Sequence, residues 1–324
     1  MNYLAFSLFL AAFALWFWLH MAAALRAMNR LKASASPEID LGFVRTGDFH
    51  AREVREGNVA PEREADAFAT FPKQRVQGTV LSRGDCLLRC GTRVGAIVST
   101  GELALKNDVV VEQFADSRGN LTMGKRCSVR GRATSAESIH VGEESRARSF
   151  EGKQVMTDTA DAKAPAPPVE DRVTVPLGSE TVSDAGVDSR RMRRMAEDTW
   201  LYRGDLTPAK PLLVRSRLVV LGRLELPAGS ILEADVTATG DVRLGAGSSC
   251  RSIFSDSDIR MGEGCRFAGV LYAGGELRLG NGVLGEGDAR VAYGRARVRL
   301  HKGVVVRGKI ASGGEVVCEP GNSL

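Results

Sequence analysis

Candidate chemistry in this chain rests on four histidines, six cysteines and one glycine-rich hexapeptide. His140 lies between Ile139 and Val141, whose alternation sends both to one face of a strand, so its imidazole is expected to point outward. His301 directly follows Leu300, while His20 and His50 fall outside the repeats described below. The spacing suggests no histidine–carboxylate pair, so a general base would lack the group that orients it. Cys86 and Cys90 form a C-x3-C half-site without a second half, and no metal is expected. All six cysteines, Cys86, Cys90, Cys127, Cys250, Cys265 and Cys318, fit apolar slots in which a thiol acts as a small hydrophobe. Gly280 to Gly285 spells G-x-G-x-x-G, which binds a dinucleotide only where it opens a helix. The same glycines recur along the chain at corner positions, so no cofactor is expected.

Arginine supplies a further pattern. Arg243, Arg260, Arg278 and Arg299 recur in one outward slot, with Asp241, Asp258 and Glu276 two residues before the first three. A bare arginine ladder repels itself, and a neighbouring acidic ladder offsets this by a few tenths of a kcal/mol per pair. A docking face for a partner is the sharper possibility; a solvated, self-compensated face is the one expected.

These residues sit on a repeat. The motifs GDVRLGAG at Gly240, SDIRMGEG at Ser257 and GELRLGNG at Gly275 differ little, and ARVRLHKG at Ala296 and GEVVCEPG at Gly314 continue them. The paired apolar positions Leu224/Leu226, Val242/Leu244, Ile259/Met261, Leu277/Leu279, Val298/Leu300 and Val316/Cys318 follow one another at offsets of 18, 17, 18, 21 and 18. Upstream, Cys86/Leu88, Leu103/Leu105, Leu121/Met123 and Ile139/Val141 do the same at 17, 18 and 18. Further pairs lie within each period, such as Val109/Val111, Cys127/Val129, Cys265/Phe267 and Val304/Val306, and more loosely Leu271/Ala273, Ala289/Val291 and Ile310/Ser312. Each pair is an i, i+2 alternation on a short strand, and glycines separate the pairs where the chain must turn. Three strands and three corners per turn predict an all-β, three-sided parallel β-helix.

Five regions follow. Residues 1–32 read as a transmembrane anchor: Tyr3 to Leu25 carries no formal charge and is long enough for a helix to cross about 30 Å of hydrocarbon. Arg26, Arg30 and Lys32 flank it on one side, which by the positive-inside rule places the bulk of the chain in the cytoplasm, single-pass in the inner membrane. Residues 33–75 are a polar tether, 76–148 the first part of the β-helix and 212–324 the second. Between them, 149–211 reads as a Pro/Ala-rich insertion ending in a short basic helix, SRRMRRMAEDTW from Ser189, with Met192, Met195, Ala196 and Trp200 on one face.

Composition agrees with a repeat. Glycine supplies 36 of 324 residues and aromatics only 6%, so tight turns outnumber the large rings on which a compact enzyme core usually leans. Net charge is +5, too small and too dispersed for a nucleic-acid footprint. The periodic V-R-L-G-x-G strands, low aromatic content and hydrophobic N-terminal segment resemble the bactofilins, bacterial polymer-forming cytoskeletal proteins, over residues 76–148 and 212–321. The resemblance implies a right-handed β-helix that joins end to end without nucleotide beneath the inner membrane and scaffolds cell-wall, shape or polarity factors. This chain departs from that pattern in its insertion, its full-length anchor and its lack of a disordered C-terminal tail. A membrane-anchored, self-associating scaffold without catalysis is therefore expected, with a β-helical acyltransferase as the alternative. The hexapeptide rule of those enzymes fails here, because Val242, Ile259, Leu277 and Val298 fill a slot that should be small. Only six residues follow Val316/Cys318, so this last pair is expected on an exposed end layer that serves as the self-association surface.

Overall fold

The chain divides into two units, Met1–Arg45 and Thr46–Leu324. The computed structural model describes residues 63–65, 68–71, 75–158, 173–175 and 187–320, all within the second unit. The expected anchor, its flank Arg26, Arg30 and Lys32, and most of the tether lie outside the described residues. Among the described residues no helix is long and apolar enough to cross a membrane.

This unit is an all-β solenoid of about 12 turns. In the first array Phe68–Phe71, Asp85–Leu88, Leu103–Leu105, Leu121–Met123 and Ser138–Val141 stack as one parallel ladder. In the second array Leu224–Leu226, Val242–Leu244, Ile259–Met261, Glu276–Leu279 and Arg297–Leu300 do the same. Two further ladders complete each turn, so every turn hydrogen-bonds to the next on three sides. The predicted inward pairs are inside: Leu88, Leu105, Met123, Val141, Val242, Ile259, Leu277, Leu279, Val298 and Val316 are all buried in a single continuous core. Buried serines finish the corners; Ser99, Ser117 and Ser135 hydroxyls donate to the carbonyls of Gly84, Gly101 and Gly119 on the preceding turn at 2.6–2.7 Å, so each buried hydroxyl is partnered.

One pair is out of step. Ala289/Val291 was expected to point inward, but Leu271 pairs with Ala292, and Ala292 is the buried residue. This turn is three residues longer than its neighbours, and the strand Leu284–Gly294 absorbs them in a register shift between Gly285 and Arg290. A one-residue slip exchanges the faces of a strand, so a local irregularity was enough to mislead the alternation.

The region between the arrays also differs from expectation. The strand Arg146–Thr157 carries the first array beyond residue 148, and Val173–Val175 already pairs with Leu212–Val214 of the second. The expected basic helix is not one. Ser189–Arg191 forms a single 3-10 turn capped by the Asp188 carboxylate, and Met192–Ala196 and Thr199–Arg203 form an antiparallel hairpin. Thr199–Arg203 pairs in parallel with Arg217–Leu221, whose backbone groups need partners on that side, and this requirement overrides the helical spacing of Met192, Met195 and Trp200.

Candidate assembly site

The two arrays meet end to end. Arg146–Thr157, the last turn of the first, pairs with Val305–Cys318, the last turn of the second, and the pairing is antiparallel on all three sides: Ala147 faces Val316, Phe150 faces Ile310 and Val155 faces Val306. Every side chain in those three pairs is buried, and Phe150 is among the largest fully buried residues. The expected exposed layer at Val316 and Cys318 is thus covered. Val316 has Val298 beneath it and Ala147 above, and Cys318 accepts at its carbonyl from Glu144 N–H at 2.8 Å and donates its own N–H to Ser145 at 2.9 Å. Both C-terminal turns carry unpaired amides and an apolar cross-section, and each satisfies the other within one chain.

Polar groups seal the rim of this joint. The Thr157 hydroxyl donates to the His301 carbonyl at 2.7 Å and accepts from Val304 N–H at 3.0 Å. Glu143 stands 2.8 Å from both Lys125 of its own array and Lys302 of the other, and these ammonium groups pull its pKa down to about 2. Lys309–Glu151 at 3.3 Å and Arg146–Glu315 at 3.8 Å are further pairs across the joint. A cleft of about 450 Å³ follows one side of it, walled by Arg126, Arg146, Arg297, Glu144, Glu315 and Glu319 among others, with basic and acidic groups interleaved.

The arginine ladder is present as expected. Arg243, Arg260, Arg278 and Arg299 are register partners on successive turns. Each has a carboxylate: Glu225 at 4.0 Å, Asp258 at 3.7 Å, Glu276 at 2.9 Å, and for Arg299 both Glu276 at 3.1 Å and Glu319 at 2.9 Å. Partial burial works against the Glu276 carboxylate, but the Arg278 hydrogen bond and the Arg299 charge outweigh it and lower its pKa. The acidic ladder has a second task that spacing alone did not reveal. Asp258 accepts the backbone N–H of Glu276 at 2.8 Å, as Asp85 does for Glu102 and Asp205 for Arg223, so these carboxylates tie each corner to the next turn.

The chemical candidates separate. Cys86, Cys127, Cys250, Cys265 and Cys318 are buried free thiols, but Cys90 is exposed and does not occupy an apolar slot. Burial pushes Cys86 and Cys318 up to about 12 and Cys265 to about 11, which keeps them as unreactive thiols. Among the described residues no group of three or more histidine, cysteine or acidic side chains could hold a metal ion. A histidine–carboxylate pair does exist, against expectation: His140 Nε2 lies 2.7 Å from Asp158 Oδ1. The two residues are 18 apart, one turn, and the pair shows itself only once Asp158 is known to continue the stack. His301 is buried, and burial lowers its pKa. Glycines at Gly280 and Gly282 make a turn between strands, not a helix N-terminus. No protein-family model, curated protein or solved structure matches this chain.

Proposed function

We propose that this protein is a membrane-anchored structural scaffold of the bactofilin kind, which self-associates through the ends of its solenoid and organises envelope or cell-shape factors. The observation that carries this proposal is the joint itself. Two end turns of the same repeat seal onto one another with backbone pairing on three sides, an apolar layer and complementary charges. End-on contact is therefore a geometry this repeat supports. We take the solenoid to be right-handed, as in the bactofilins, and the Tyr3 to Leu25 segment to span the inner membrane with the solenoid in the cytoplasm.

Full-length protein purified in detergent tests the association. Particles holding more than one copy are expected by mass measurement at micromolar concentration; strictly single copies at high concentration would overturn it. Fusions of a cytoplasm-active and an export-dependent reporter after Leu324 test the topology, and activity of the exported one alone would sink it. The alternative, a β-helical acyltransferase, draws support from the His140–Asp158 pair. However, His140 does not line the cleft at the joint, so the pair has no acceptor site beside it there.

A further inference from the structure

One corner of the second array carries a dense set of contacts to the first. His301, Lys302, Gly303 and Val304 link the strands Arg297–Leu300 and Val305–Cys318, and each of the four touches the facing array. The His301 carbonyl accepts from the Thr157 hydroxyl at 2.7 Å, and Lys302 Nζ lies 2.8 Å from Glu143. Gly303 N–H donates to the Asp158 carbonyl at 2.7 Å. Val304 N–H donates to the Thr157 hydroxyl, and the Val304 carbonyl accepts from Thr157 N–H, both at 3.0 Å. Whatever fixes this corner therefore fixes the end of the strand Arg146–Thr157.

The corner is seated by an imidazole. On the three preceding turns the place of His301 belongs to Gly245, Gly262 and Gly280; each, like His301, follows the last residue of its strand and donates its N–H to the turn before. His301 puts a titratable side chain there. It is only 4% exposed, and its Nε2 is buried without a hydrogen-bond partner. A neutral ring can leave no more than a lone pair at Nε2, whereas the imidazolium must bury an N–H and a full charge. The carboxylates around this corner are already engaged. Glu276 serves Arg278 at 2.9 Å and Arg299 at 3.1 Å, and Glu319 serves Arg299 at 2.9 Å. Glu143 serves Lys125 and Lys302, and Asp158 lies 2.7 Å from His140. Burial acts most strongly on the ring; the Glu319 charge favours the imidazolium, those of Arg278 and Arg299 oppose it, and the net effect lowers its pKa.

We propose that residues 301–304 form a pH-sensitive latch on the joint: protonation of His301 in mildly acidic solution drives its ring out of the corner and releases the first array at Thr157 and Asp158. A histidine whose folded pKa lies below its ordinary 6.5 contributes stability that is complete above that value and is lost as pH falls towards the folded one. Glu143, by contrast, titrates between 4.5 and about 2, so the two effects separate in pH. The latch acts within one chain and does not rest on association between copies.

Amide hydrogen exchange of the full-length protein in detergent, with rates corrected for the intrinsic effect of pH, reads the latch. Between about pH 7 and 5.5 the protection of Thr157, Gly303 and Val304 is expected to fall roughly two- to eightfold, while that of Leu103–Leu105 in the same chain holds. In His301→Gln, which is neutral throughout, the fall should vanish; in His140→Gln it should remain. Hydrogen exchange at the imidazole C2 position of the unmodified protein depends on neither variant folding. There His301 is expected to exchange slowly, with a midpoint below the ordinary 6.5. Unchanged protection at the lower pH would overturn the latch. So would a fall that survives in His301→Gln, disappears in His140→Gln or reaches Leu103–Leu105 equally, and so would a His301 ring that exchanges like an exposed histidine.

Discussion

At the scale of single residues, neighbours in sequence experience opposite environments. Leu279 is fully buried between turns, whereas Arg278 stands outside with its guanidinium 2.9 Å from Glu276. Leu279→Asp places an unpaired carboxylate in the core at a cost of several kcal/mol. Arg278→Asp leaves Glu276 with Arg299 as its partner and costs at most about 1 kcal/mol. Thermal melts should separate the two widely; equal losses would refute the register. The thiols give a second test. Cys90 is the exposed one of six, and the burial that raises Cys86, Cys265 and Cys318 also excludes reagent from them. A maleimide should label one thiol per native chain, and six only after denaturation.

At the scale of the element, corners set the geometry of each turn. The residue two positions before the strand at one corner takes a left-handed conformation in both arrays. Gly247, Gly264, Gly282 and Gly303 fill that place in the second array, but Asp108, Arg126 and Glu144 fill it in the first, with φ of 55–62°. Non-glycine residues are therefore tolerated there at a cost of about 1–2 kcal/mol each. Gly264 has open space where a Cβ would go, so Gly264→Ala should cost only this conformational term. Gly245 is different: a Cβ there would meet the backbone nitrogen of Ala228, one turn away, at 2.3 Å. Gly245→Ala must push two turns apart, and its destabilisation should exceed that of Gly264→Ala by about 1–3 kcal/mol. Chemical denaturation of both variants measures the difference, and comparable losses would mean that corner conformation, not close approach, fixes both glycines.

At the scale of the whole described solenoid, the joint couples the two arrays. Glu143 links them through Lys302 and has a pKa lowered to about 2, from an ordinary value near 4.5. A depressed carboxylate contributes stability above its unfolded pKa and loses it as pH falls towards its folded one. The joint should therefore weaken between pH 4.5 and 2, and Glu143→Gln should flatten the melting temperature over that window. The effect should shrink in high salt because the group is partly exposed. Burial of Val316 alters the expectation for Val316→Asp: a charge between Val298 and Ala147 should part the arrays within each chain, detected as accelerated proteolysis at residues 146–157, instead of merely blocking contacts between copies.

The sequence by itself determined the turn. An i, i+2 alternation such as Leu277/Leu279, recurring every 17 to 21 residues with a glycine at the corner, permits little else, because both the face of a side chain and the sense of a corner are local properties. The same locality explains what was missed. Ala292 replaced Val291 because three extra residues shifted the register, and the Met192–Ala196 strand replaced a helix because an unpaired sheet edge lay beside it. The assembly surface was the largest correction. The apolar layer at Val316 was legible, but its partner was not: another copy and the first array offer the same kind of surface. Only the tertiary structure decided for the first array, to which one covalent chain gives a far higher effective concentration than any second molecule. That choice turned the C-terminal layer inward.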